Sequence, residues 1–213
     1  SNSTVTQPTT LTSSISAQTN VLCNGGNNGS ATVSAAGGSP SYSYLWSNSQ
    51  TSSTAINLTA GTYTITVTDS HNCTSTSSVT ITQPTAVSAT TSGTPVSCNG
   101  GNNGTASVAP AGGTPGYSYL WSNSATTSSI TNLTAGTYTV TVSDANNCSI
   151  VVSYIVSQPT AVSASISSSN NVSCFGGNNG SATVSPTGGT PGYTYIWSSG
   201  ATTATATGLT SGT

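Results

Sequence analysis

The chain contains no lysine, arginine, glutamate or methionine, and its acidic side chains are Asp69 and Asp144 alone. With a single His71, the formal charge is -2 over 213 residues. Without cationic side chains nothing neutralises phosphates, which excludes nucleic-acid binding, and nothing holds the chain electrostatically to an anionic membrane surface. The lack of lysine also rules out Lys-Asn isopeptide cross-links, so disulfides are the only covalent clamp within reach. No apolar run approaches the roughly 20 residues of a membrane span, and no segment has the charged start and apolar centre of a signal peptide. No membrane insertion is expected of this segment, and export and anchoring signals are expected in other parts of a longer chain.

Apolar residues also fail to recur at helical spacing over three turns. Val, Ile, Tyr and Thr instead alternate with Ser and Thr in short runs punctuated by Gly, Pro and Asn, the pattern of half-buried strands. A chain this poor in charge and in apolar residues is open to disorder. The alternation argues for an all-β fold instead.

The same text occurs three times. "CNGGNNGSATV" begins at Cys23, "CNGGNNGTASV" at Cys98 and "CFGGNNGSATV" at Cys174; Trp46, Trp121 and Trp197 are likewise 75 and 76 residues apart. The pairs Gln7-Pro8, Gln83-Pro84 and Gln158-Pro159 keep nearly the same step. A unit of about 75 residues suits a small sandwich and is too long for one coil of a solenoid. Opening each unit at Gln-Pro makes 1–6 the final strand of a preceding repeat, 7–82 the first repeat, 83–157 the second, and 158–213 a truncated third. The third lacks a counterpart of "YTITVTD" (63–69) and "YTVTVSD" (138–144), so the natural chain is expected to continue in both directions.

In the second repeat, strands are expected at 86–93, 104–113, 117–123, 125–133, 136–144 and 149–157. Such short strands, with a turn signal every 8–12 residues, are the signature of an immunoglobulin-like β-sandwich. The expected architecture is a set of tandem immunoglobulin-like domains in an extended array, with Gln-Pro-Thr joins stiffened by proline. Tyr138, Val140 and Val142 should face the core, with Thr139 and Thr141 outward. "LTAGTY" at 58–63 and 133–138 suits a tyrosine corner, whose hydroxyl bonds back to nearby backbone.

Cys23 and Cys73 are 50 residues apart, as are Cys98 and Cys148, one pair per complete repeat. The regularity points to disulfides Cys23–Cys73 and Cys98–Cys148 formed in an oxidising place, with Cys174 pairing beyond Thr213. Each such loop would contribute about 4 kcal/mol on chain entropy alone. Buried free thiols are the alternative. Zinc needs four ligands at short spacings that do not occur here, so no metal and no cofactor is expected.

The glycine-asparagine loop invites three readings. A phosphate cradle needs a following helix, and a strand follows here. A calcium loop needs carboxylates where this one has asparagine. A structural turn remains, with Asn28-Gly29, Asn103-Gly104 and Asn179-Gly180 as the hairpin signal. Asp69, His71 and the many serines supply the parts of a hydrolase triad, but the second repeat has Asn146 in place of His71, and no catalytic residue is expected. Both aspartates sit where a strand yields to a turn, where Asp commonly bonds its own backbone. Tyr42, Tyr44 and Trp46, then Tyr117, Tyr119 and Trp121, then Tyr193, Tyr195 and Trp197, share one face of a strand. Exposed, Tyr117, Tyr119 and Trp121 would stack on sugar rings. A unit with so few large apolar residues is expected to keep its Trp in the core. Asn57, Asn132 and Asn171 lie in Asn-x-Ser/Thr triplets, as a Ser- and Thr-rich chain produces by chance.

Taken together, "CNGGNNGSATV…GGTPGYSYLWSNSATT…LTAGTYTVTVSDANNC" resembles the SprB-type repeat of Bacteroidota surface proteins. The resemblance implies a large secreted adhesin, exported by the type IX system and, in gliding bacteria, carried along the cell surface. Members commonly carry Asp where this chain has Asn28, Asn103 and Asn179, which weakens ion binding there. The expected function is the shaft of a cell-surface adhesin or extracellular filament, and the alternative is a carbohydrate-binding module. Expected partners are other copies or neighbouring repeats, in a filament or bundle, or surface polysaccharide.

Overall fold

The computed structural model describes residues 5–212, and every regular element in it is a β-strand. The first repeat contains β1 (Thr12–Thr19), β2 (Gly29–Ala36), β3 (Ser43–Trp46), β4 (Thr54–Leu58), β5 (Gly61–Thr68) and β6 (Thr74–Ile81). These form two three-stranded sheets, ordered β1-β2-β4 and β3-β5-β6, with antiparallel pairing throughout. Strands one, two and four on one sheet and three, five and six on the other is the immunoglobulin partition of strands A-B-E and C-F-G.

Period-two alternation explains why these segments fold against each other. Ala31 and Val33 of β2, Ile65 and Val67 of β5, and Val79 and Ile81 of β6 are buried together with Trp46 and Leu58, while the intervening Ser and Thr stay at or near the surface. Two irregularities have local causes. The register of β2 with β4 shifts between Ala55 and Leu58, where Asn57 sits at φ 55. Asn132 (φ 57) and Gly208 (φ 73) hold the same place in the other repeats. Asn and Gly tolerate this left-handed conformation, which the extra residue of a bulge requires.

The second repeat repeats the pattern with β7 (Ser88–Thr94), β8 (Gly104–Ala111), β9 (Ser118–Trp121), β10 (Ser129–Leu133), β11 (Gly136–Ser143) and β12 (Ser149–Val156). Its sheets are ordered β10-β8-β7 and β12-β11-β9. Val140 and Val142 are fully buried and Tyr138 half-buried, with Thr139 exposed and Thr141 half-buried. The third repeat contributes β13 (Ser163–Asn170), β14 (Gly180–Thr187) and β15 (Thr205–Leu209) as a single sheet ordered β13-β14-β15. Its "YIW" segment is in no strand, and Trp197 is half-buried where Trp46 and Trp121 are buried. Of residues 1–6, Val5 and Thr6 belong to no strand, and 1–4 lie outside the described residues.

Two compact units are distinguished. One reaches to Thr90 and takes in Ala109–Leu120 and Thr141–Val151; the other comprises Thr91–Val108, Trp121–Val140 and the chain from Val152 on. The first therefore holds the whole first repeat together with the linker, the Gly112-Gly113 turn and the Asp144 turn of the second. No helix among the described residues is long and apolar enough to cross a membrane.

Candidate functional site: a joint between consecutive repeats

The glycine loop turns earlier than its Asn-Gly pair suggests. Gly25, Gly100 and Gly176 carry positive φ (75, 73 and 76), and the amides of Gly26, Gly101 and Gly177 donate to the carbonyls of Cys23, Cys98 and Cys174. This is a β-turn with glycine at its third position, as a type II turn demands. Asn28-Gly29 is not the turn. Asn28 Oδ1 accepts the amide of Leu22 at 3.0 Å, an arrangement shared by Asn103 with Ser97 and Asn179 with Ser173. Gly29 opens β2, where a Cβ would lie 2.7 Å from the carbonyl oxygen of Leu58 and 2.8 Å from Ile81 Cγ2. Asparagine thus braces the loop and glycine admits the neighbouring strands.

What the loop holds is the next repeat. The amide of Gly25 donates to Gln83 Oε1 at 2.7 Å, and Asn24 Nδ2 donates to the carbonyl of Pro84 at 3.1 Å, so the linker is gripped by the repeat that precedes it. Leu22 presents its carbonyl to Asn146 Nδ2 of the second repeat at 3.3 Å. Beside these, Cys23 is bonded to Cys148, with Cα atoms 5.6 Å apart and 125 residues between them in sequence. A crevice of about 350 Å³ lies here, lined by Cys23, Asn24, Pro84, Val87, Asp144 and Cys148 among others.

This bond corrects the pairing expected from spacing. Neither Cys23–Cys73 nor Cys98–Cys148 forms; Cys73, Cys98 and Cys174 are free and exposed. The reason lies in the sandwich. Cys23 is at the end where β6 finishes, since the amide of Val21 donates to the carbonyl of Thr82. Cys73 immediately precedes β6, an eight-residue strand, which at about 3.3 Å per residue separates the two ends by roughly 25 Å. A disulfide tolerates about 7 Å between Cα atoms. The turn carrying the second cysteine lies at the leading end of each repeat and the glycine loop at its trailing end, so adjacent repeats bring unlike cysteines together.

The leading-end turn is built on an aspartate. Asp144 Oδ1 accepts the amides of Asn146 and Cys148, both at 2.9 Å, and Oδ2 accepts the amide of Thr114 at 2.8 Å. Asp69 does the same with His71, Cys73 and Ser39. Both side chains are nearly fully covered, at 3% and 5% exposure. The Thr114 amide foremost, with those of Cys148 and Asn146, holds the Asp144 carboxyl below the usual carboxylate range against the opposing effect of burial. For Asp69 the Ser39 amide leads, burial opposes, and Cys73, His71 and the His71 charge assist. Gly113 makes the approach feasible: at φ 61, a Cβ there would lie 2.5 Å from Asp144 Oδ2.

Asp69 therefore spends its oxygens on backbone amides. It receives the main-chain amide of His71 rather than a ring nitrogen, while the ring Nδ1 of His71 lies 3.4 Å from Ser70 Oγ. The aromatic row is equally occupied. Trp121 is 2% exposed, its Nε1 donating to the carbonyl of Thr127 at 2.9 Å, and Tyr117 Oη donates to the carbonyl of Gly112. Tyr119 is half-buried. The indole of Trp121 presents no face for sugar stacking. Among the described residues no group of three or more His, Cys, Asp or Glu gathers to hold a metal. Sequence reasoning marks Gln83-Pro84 as a join between repeats but misses Asn24 and Asn146, which bond across that joint. The signal was present in the shared step of the Gln-Pro pairs and the glycine loops.

Comparison with solved structures returns immunoglobulin-domain proteins. An amphioxus IgVJ-C2 molecule is 15% identical over 57% of this chain and 91% of its own, with a TM-score of 0.29. A structure addressing Dscam isoform specificity is 14% identical over 68% of this chain and 46% of its own, at 0.30. The N-terminal eight Ig domains of Down syndrome cell adhesion molecule isoform 1.30.30 are 13% identical over 88% and 30%, at 0.32. The fold assignment rests on the strand order described above. No curated protein matches the chain. The SprB repeat matches at 15–51, 90–126 and 166–202, together more than half of the 213 residues and each spanning one glycine loop and one tryptophan, so the chain belongs to the SprB repeat family.

Proposed function

We propose that this chain is a load-bearing, non-enzymatic stretch of an extracellular adhesin or filament, with the repeats 7–82, 83–157 and 158 onward as its beads. The observation that carries the reading is the Cys23–Cys148 bond, which joins one repeat to the next. A covalent inter-repeat link resists separation under pull, and disulfides persist in oxidising surroundings outside the cytosol. Membership of the SprB repeat family supports a cell-surface setting, and by that resemblance the reading extends to type IX export and carriage on gliding cells.

Partners are other copies of the chain. Near-absent charge removes the repulsion that keeps soluble proteins apart. The edge strand β12 adds Val151 at 63% and Ile155 at 68% exposure, where the first repeat has Thr76 and Thr80. Exposed apolar edge strands favour association. Two measurements test the proposal. Antibodies against this segment should label intact cells, and labelling only after lysis would refute the surface reading. Scattering should show association that rises with concentration and is reduced by Val151→Thr with Ile155→Thr; a monomer at all concentrations would refute self-association.

A further inference from the structure

The linker grip of the first joint recurs at the second glycine loop. Asn99 Nδ2 donates to the carbonyl of Pro159 at 3.1 Å, as Asn24 does to Pro84, and the Gly100 amide donates to Gln158 Oε1 at 2.9 Å, as Gly25 does to Gln83. A crevice of about 420 Å³ is lined by Cys98, Asn99, Pro159 and Val162, the counterparts of Cys23, Asn24, Pro84 and Val87 at the first joint. The first joint is lined in addition by Asp144, Cys148 and Ser149. At the second, Cys98 is free and exposed, and Val162 is 62% exposed where Val87 is half-buried.

We propose that the Cys98 loop is a socket for the aspartate-centred turn of a completed third repeat, so that the glycine-loop cysteine of each repeat bonds the turn cysteine of the repeat after it. The argument is geometric equivalence within one molecule. The linker grip that places the following repeat is already made at Gln158 and Pro159, by the same two bonds as at the first joint. A third repeat carrying its C-F-G sheet would set its turn aspartate against the amide of Thr190, the counterpart of Thr114, and its turn cysteine against Cys98. By the same rule Cys73, the counterpart of Cys148, is the plug for a glycine loop of a repeat placed ahead of it. The partner in both cases is another SprB-type repeat, and the result is a ladder of bonds running from bead to bead. Each bond forms when two thiols give up two protons and two electrons to a small-molecule disulfide such as oxidised glutathione, which leaves as two thiols.

The test completes the third repeat from the chain's own text by appending a copy of residues Tyr138–Ser157 after Thr213. After air-free refolding with oxidised glutathione, alkylation and non-reducing peptide mapping should find the appended copy of Cys148 joined to Cys98. Cys23 should be joined to Cys148, and Cys73 and Cys174 should be alkylated. With Cys98→Ser, the appended cysteine should be alkylated as well. A bond from the appended cysteine to Cys174 would overturn the proposal, and so would alkylation of both the appended cysteine and Cys98. Loss of the Cys23–Cys148 bond in the same sample overturns it too, because the extrapolation stands on that bond.

Discussion

Each aspartate in this chain does the work of a cap. Asp69 and Asp144 are the only acidic side chains, and each gathers three main-chain amides, one of them from a residue 30 positions away. Their carboxyls are held below the ordinary value. A folded-state pKa below the unfolded value of about 3.9 contributes stability that is complete above that value and is lost as pH falls through the folded one. Urea midpoints should therefore be insensitive to these groups from pH 7 to about pH 5 and decline below about pH 4. Asp69→Asn with Asp144→Asn should lower the neutral midpoint and flatten the acid decline; a decline of undiminished slope would show that other groups cause it. That both aspartates end strands was legible in sequence, as was their bonding to nearby backbone. The third amide was not, because Ser39 and Thr114 reach the carboxylates only through the pairing of β3 with β5 and its counterpart in the second repeat.

Strands follow from alternation, and their ends from chemistry that is partly non-local. Of the expected inward set Tyr138, Val140 and Val142, the valines are fully buried and the tyrosine half-buried, and the tyrosine corner is present: Tyr63 Oη donates to the carbonyl of Thr59 at 3.1 Å and Tyr138 Oη to that of Thr134 at 3.2 Å. Tyr138→Phe should then cost about 1 kcal/mol, the net worth of one hydrogen bond, read as a lower denaturation midpoint with unchanged slope. A midpoint equal to wild type would show that solvent replaces the bond without loss. The glycine loop departs from its sequence signal. Asn-Gly is a strong hairpin signal when strands flank it on both sides, but here β2 begins at Gly29 itself and the turn falls on Gly25, three residues upstream of Asn28. In the sequence, Asn57 and Asn132 stand out only as members of Asn-x-Ser/Thr triplets. Their positive φ at a bulge, shared by Gly208, supplies a backbone reason for them.

Across the whole molecule, the cysteine spacing hid its own answer. With a repeat of about 75 residues, a separation of 50 within one repeat and one of 125 between neighbours fit the same regular pattern, so arithmetic alone could not choose. Strand length chooses, because β6 carries its two ends roughly 25 Å apart. The choice has a mechanical consequence. An in-repeat bond would shield only one repeat, whereas Cys23–Cys148 routes tension past everything between those residues. Pulled from its two termini, the oxidised chain should extend only by residues outside the bonded loop. Adding a reductant should release a further contour of about 430 Å, from 125 residues at about 3.4 Å each. Single-molecule force spectroscopy before and after reduction reads this directly, and Cys148→Ser should show the full extension without reductant. Two increments near 170 Å, each the value for a loop of about 50 residues, would instead restore the two in-repeat pairs and remove the covalent joint on which the load-bearing reading stands.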